Sequence, residues 1–163
     1  MTPRQLGPVT ATAGGLLACI GLSLAAAGAS AQQADPVAAI LGEARAFCES
    51  YENGRFDAGA AVREMNLDGQ EPIDRIVDES AFSCSSMMSA YCGSGGCMLH
   101  AVVEDAVRSF QAEGWRMVEW DGRPILLIAR DGGWCGGAGA QVCYEAVVWS
   151  NGQALSVMPQ PDG

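Results

Sequence analysis

Six cysteines, at positions 48, 84, 92, 97, 135 and 143, limit what this chain can become more than any other feature. A seventh, Cys19, stands apart near the start. An even set of cysteines in an exported domain implies a disulfide framework, and six of them admit fifteen connectivities. Zinc competes for such residues. Yet Cys92-x4-Cys97 and Cys135-x7-Cys143 lack the paired short spacing of zinc knuckles, so bridges are the better reading in an oxidising compartment.

The first residues point to that compartment. Arg4 precedes an apolar run over 16–27, and Ala29-Ser30-Ala31 then places small residues where a signal peptidase accepts them. A run of about a dozen apolar residues is too short to anchor stably across a bilayer. Cleavage after Ala31 leaves residues 32–163 as one periplasmic or secreted domain without a transmembrane anchor. A second reading stays open, because Leu16-Leu17-Ala18-Cys19 has the form of a lipoprotein box that would acylate Cys19. The net charge is −10, and every basic residue is arginine. Such a chain repels phosphate backbones and anionic lipid, which argues against nucleic acid as a partner. A basic protein or a divalent cation is electrostatically easier.

Asp35-Pro36 is a helix start, with a capping carboxylate and then proline at the first helical position. Val37, Ile40, Leu41, Ala44, Cys48 and Tyr51 follow at spacings of three and four, and Asn53-Gly54 ends the helix. Cys48 lies on the apolar stripe, where it can staple the helix to whatever it covers. Strands are expected over 61–65, 73–77, 97–103, 115–120, 124–129, 142–149 and 154–157, with Asp121-Gly122 and Asn151-Gly152 as tight hairpin turns. Ile125-Leu126-Leu127-Ile128 is apolar throughout and is expected to be a central strand covered on both faces. Residues 85–91 suggest a short helical turn. Residues 104–113 fit a helix slightly better than a strand, and 158–163 read as a frayed tail. The fold class is α+β: an antiparallel β-sheet meander with an N-terminal helix, disulfide-stapled.

The stretch 64–74 is the most informative for chemistry. Glu64, Asn66 and Asp68 occupy alternate positions, Gly69 turns the chain and Asp74 returns a carboxylate. The pattern resembles the calcium loops of dockerins and of FG-GAP, integrin-type propeller repeats, and it implies Asn66, Asp68 and Asp74 as calcium ligands. It departs from them in its leading glutamate, in a closing acid two residues late and in Pro72 within the gap. The plainer reading is an acidic hairpin turn. A wider likeness runs over about residues 60–152. It takes in Asp78-Glu79-Ser80-Ala81-Phe82-Ser83-Cys84, then Cys92-Gly93-Ser94-Gly95-Gly96-Cys97, and later Gly122-Arg123-Pro124-Ile125-Leu126-Leu127. It resembles a group of uncharacterised secreted bacterial disulfide-rich proteins, which implies compartment and fold without an activity.

The glycine-rich pieces 93–96 and 132–139 lack the lysine that a phosphate cradle needs. They read instead as loops pinched by Cys92–Cys97 and Cys135–Cys143 bridges, and elimination leaves Cys48–Cys84. His100 is the sole histidine and has no identifiable nucleophile partner in the sequence. Acid pairs such as Asp78-Glu79 and Glu104-Asp105 leave a carboxylate-based hydrolase open as an alternative. Trp115, Trp120, Trp134 and Trp149 are expected to fill the core and the sheet faces. No residue is assigned as catalytic, and calcium is the cofactor for which the sequence offers ligands. The leading expectation is an exported, non-enzymatic binding module for a protein or small ligand. An acidic inhibitor of a basic hydrolase such as lysozyme is the other alternative, and charge supports it.

Overall fold

The computed structural model describes residues 34–159. The expected signal sequence, the cleavage site after Ala31, the lipidation alternative at Cys19 and residues 160–163 lie outside them. Helix α1 runs over Pro36–Ser50, and the Asp35 carboxylate accepts from the Val37 N–H at 3.1 Å, as the capping sequence requires. Strands β1 (Phe56–Asp57), β2 (Val62–Met65), β3 (Asp74–Asp78) and β4 (Ser83–Cys84) follow. Then come β5 (Cys92–Gly93), β6 (Gly96–Val103), β7 (Ala106–Ala112) and β8 (Gly114–Trp120). The last three are β9 (Arg123–Arg130), β10 (Cys143–Ser150) and β11 (Gln153–Val157).

All pairing is antiparallel. In the first sheet β6 is central: β7 lies along one edge, and β3 and then β5 lie along the other, with β2 outside β3. The second sheet is the expected meander, in the order β11-β10-β9-β8. Alternation along β6 serves two layers at once. Leu99, Ala101 and Val103 join Ile76, Phe110, Leu126, Ile128 and Val147 in a core between the sheets. Val102 and Val77 point the other way, into a second core with Val37 and Ala44 of the helix. The order of layers is therefore helix, first sheet, second sheet, an α+β architecture.

Three bridges form: Cys48–Cys84, Cys92–Cys97 and Cys135–Cys143, with Cα separations of 5.6, 4.2 and 6.5 Å. The first pins α1 to β4. Beside it the Tyr91 hydroxyl donates to the Ala44 carbonyl at 2.9 Å, and Phe56, Phe82 and Tyr91 meet edge to face. Where the two sheets converge, Arg130 is buried and donates through Nε to Glu145 at 2.7 Å. It also donates to the Gln111 carbonyl of β7 and lies under the Trp134 ring. A buried guanidinium persists only with such partners, because an isolated charge in a dry interior is prohibitive.

Four expectations need correction. Residues 104–113 are not helical: Glu104 and Asp105 both take left-handed φ values of 48° and 66°, making a tight turn that folds β7 back on β6. Helical spacing of Ala106, Val107 and Phe110 loses to strand pairing, which sends Phe110 and Ala112 into the core. Residues 85–91 form turns without a helix. Tyr51 caps the helix from an exposed position, outside the buried stripe. The strand 125–128 is covered on one face only, with Leu126 and Ile128 inward, while the doubly covered strands are β3 and β6. The turns at Asp121-Gly122 and Asn151-Gly152 have the left-handed geometry foreseen for them.

The Cys48–Cys84 bridge closes a separation of 36 residues. Replacing both cysteines by alanine should destabilise the protein by about 3–4 kcal/mol through the freed chain entropy of the unfolded state. Denaturant melts of the double variant check this, and a loss below about 1 kcal/mol would show that packing alone holds the helix.

Candidate functional site

The loop 66–74 closes on itself. Asn66 accepts from the Gly69 N–H at 2.5 Å and donates to the Gln70 carbonyl at 3.1 Å. Asp68 accepts from the Gln70 N–H at 2.8 Å, and buried Asp74 accepts from the Leu67 N–H at 2.8 Å. Gly69 has a φ of 84°, which is where a side chain would strain the turn. The three residues singled out as calcium ligands are thus gathered in one loop, with an oxygen of each turned to a main-chain donor. No group of three or more His, Cys, Asp or Glu among the described residues is placed to hold a metal. Burial raises the Asp74 pKa above the ordinary carboxylate value. The Leu67 N–H opposes that rise and the nearby Asp68 charge adds to it.

His100 has partners that sequence spacing did not disclose. Its Nε2 lies 3.0 Å from Glu79 Oε1, and its Nδ1 lies 2.8 Å from Ser109 Oγ. Both ring nitrogens thus have a polar partner, a carboxylate at Nε2 and a hydroxyl at Nδ1. This chain ties the 3₁₀ turn Glu79–Ala81 to β6 and β7. Of the two acid pairs, Asp78 accepts from the Trp115 indole at 2.8 Å, and Asp105 lies 3.9 Å from Arg75. The buried acids Asp74, Asp78 and Glu145 each have a donor of their own. Burial also raises the Tyr91 pKa, with Glu79 adding to the effect.

The least ordinary surface is the outward face of the second sheet. Cross-strand register sets Arg116, Leu127, Ala146 and Val157 in one row. Val118 faces Ile125, and Val148 faces Leu155, in the next row. Trp120 pairs with Arg123 at one end, and Tyr144 with Ala129 at the other. Apart from Arg116, Arg123, Ser150 and Gln153 these outward positions carry no polar side chain, yet Trp120 is 76 % exposed, Val157 73 %, Leu155 51 % and Tyr144 48 %. Monomeric proteins rarely expose a contiguous apolar patch beyond about 300–600 Å², and those that do use it for contacts. Of the four tryptophans, Trp115 and Trp149 pack against the core, whereas Trp120 and Trp134 are exposed.

The acidic loop adjoins this face. Clefts of about 530 and 460 Å³ flank it, one reaching Val118 and the other reaching Val148 and Leu155. No family model matches the chain, and no match emerges among curated proteins or solved structures. The outward face was missed in the sequence because an apolar residue at every position of a strand reads as double burial. The signal available was the alternation Val118-x-Trp120 and Leu155-x-Val157 at the two sheet edges, which repeats the apolar pattern on strands too marginal to be doubly covered.

Because the folded pKa of Asp74 is raised, the folded state takes up a proton before the unfolded chain does as pH falls. Stability should therefore grow relative to an Asp74→Asn variant from neutral pH down to the ordinary carboxylate range, and should shrink as pH rises through the folded pKa. The asparagine keeps an oxygen for the Leu67 N–H. Melts of both proteins across that range test it, and a stability of the wild type relative to the variant that stays constant or increases towards neutral pH would contradict the burial cause. Millimolar calcium should leave the same wild-type curve unmoved. A rise that Asp68→Ala abolishes would mean that the loop opens to take the ion.

Proposed function

We propose that this chain is an exported, non-enzymatic binding module that docks a partner on the outward face of β8–β11. The observation that carries this reading is the exposure of Trp120, Tyr144, Leu155 and Val157 on a face of otherwise core-like composition. Rigid strands joined by tight turns hold that face in one shape, so little conformational entropy is lost on contact. Export is supported by three bridges, which persist in oxidising compartments. No helix among the described residues is long and apolar enough to cross a membrane. The reading as an inhibitor of a basic hydrolase draws on the net charge, but the outward strand positions carry no acid, and the acidic loop lies only at their border. A carboxylate hydrolase would draw on the cleft lined by Glu64, Asp74, Glu104 and Asp105, where Asp74 already accepts from the Leu67 N–H.

A photoreactive residue introduced at position 155 and activated in intact cells should give a discrete higher-mass adduct. The same residue at exposed position 43 on the helix should give none. Equal adducts from both positions, or none from 155, would contradict a docking role for this face.

A further inference from the structure

The chemistry of the partner follows from which charges the face keeps. This inference rests on the docking reading and specifies what docks. The chain has nineteen acidic residues and nine basic ones, yet the outward positions of β8–β11 hold Arg116 and Arg123 and no Asp or Glu. Arg116 lies 6.0 Å from the centre of the Tyr144 ring, and Arg123 stands opposite Trp120 across the hairpin. The Arg116 guanidinium thus sits beside an aromatic ring on the apolar surface, and Arg123 borders the cleft that Asp68 also lines. Neither arginine forms an ion pair among the described residues.

We propose that this face binds an acidic amphipathic segment of a partner protein. Its apolar side chains lie on Ile125, Leu127 and Val148, and its carboxylates meet Arg116 and Arg123. Arginine receives carboxylates two-pronged, and a pair shielded by apolar neighbours is stronger than one in water. A second copy fits poorly, because an isologous contact lays this patch on itself, and the patch has no Asp or Glu at its outward strand positions to meet the arginines. An anionic membrane matches the arginines, but it repels the remainder of a chain with net charge −10. The long-range field of the protein favours basic ligands and the face favours acidic ones, so the two make opposite predictions.

Two synthetic helical peptides that share one leucine face, flanked by glutamate in one and by lysine in the other, separate them. Titration calorimetry should show the glutamate peptide binding at least about tenfold more tightly. The Arg116→Glu/Arg123→Glu variant should reverse the preference, and Leu155→Asp/Val157→Asp should abolish binding of both. Circular dichroism of each variant checks that it is folded. The lysine peptide binding as tightly or more tightly overturns the acidic partner while leaving the face as a docking site. Binding that ignores the 155/157 variant, or no binding by either peptide, overturns the face itself. Sedimentation as a dimer lost in Leu155→Asp, or partition onto phosphatidylglycerol vesicles, assigns the face to a second copy or to lipid and overturns the proposal.

Discussion

Strands β3 and β6 carry apolar side chains on both of their faces, so neither face can be left to water. Val77 and Val102 send one set towards α1, while Ile76, Leu99 and Ala101 send the other towards the second sheet. Two separate layers must therefore cover one sheet. The helix is held over its side by the Cys48–Cys84 bridge and by the Tyr91 hydroxyl on the Ala44 carbonyl. The meander is held over the other by the buried Arg130, which joins Glu145 of β10 to the Gln111 carbonyl of β7. Removing either cover would expose half of the central pair.

The same arrangement leaves the second sheet with a single neighbour. Leu126, Ile128 and Val147 are spent on the shared core, and the opposite face of the same strands points outward. In an ordinary two-layer fold that face would be polar, giving the alternation by which half-buried strands are recognised. Here it is apolar save for two arginines and the Ser150–Gln153 pair at the hairpin end. A face of this composition lowers the solubility of the chain, and the charge of −10 spread over the other surfaces offsets that.

Much of this was legible before any coordinates. The Asp35-Pro36 cap, the two hairpin turns with left-handed Asp121 and Asn151, the alternation of 97–103 and the neighbouring cysteine pairs are local signals, and each is where its local chemistry places it. What escaped depends on tertiary context. Glu104 and Asp105 form a primed turn without the glycine or asparagine that usually marks one, so β7 passed for a helix. The two-residue strands β1, β4 and β5 are too short for any periodicity. His100 gained Glu79 and Ser109 through strand pairing that no spacing encodes. The loop 66–74 was legible as a turn, whereas the partner chosen by each oxygen was not.

The central claim is that a core-like face stands open on the isolated protein. Hydroxyl-radical footprinting of the purified protein at low concentration, read residue by residue by mass spectrometry, addresses it most directly. Trp120, Tyr144 and Leu155 should be modified readily, while Leu126, Ile128 and Phe110 stay protected until the protein unfolds. Protection of Trp120, Tyr144 and Leu155 at the level of Leu126 and Ile128 would mean that the face is already covered, and the claim would fail.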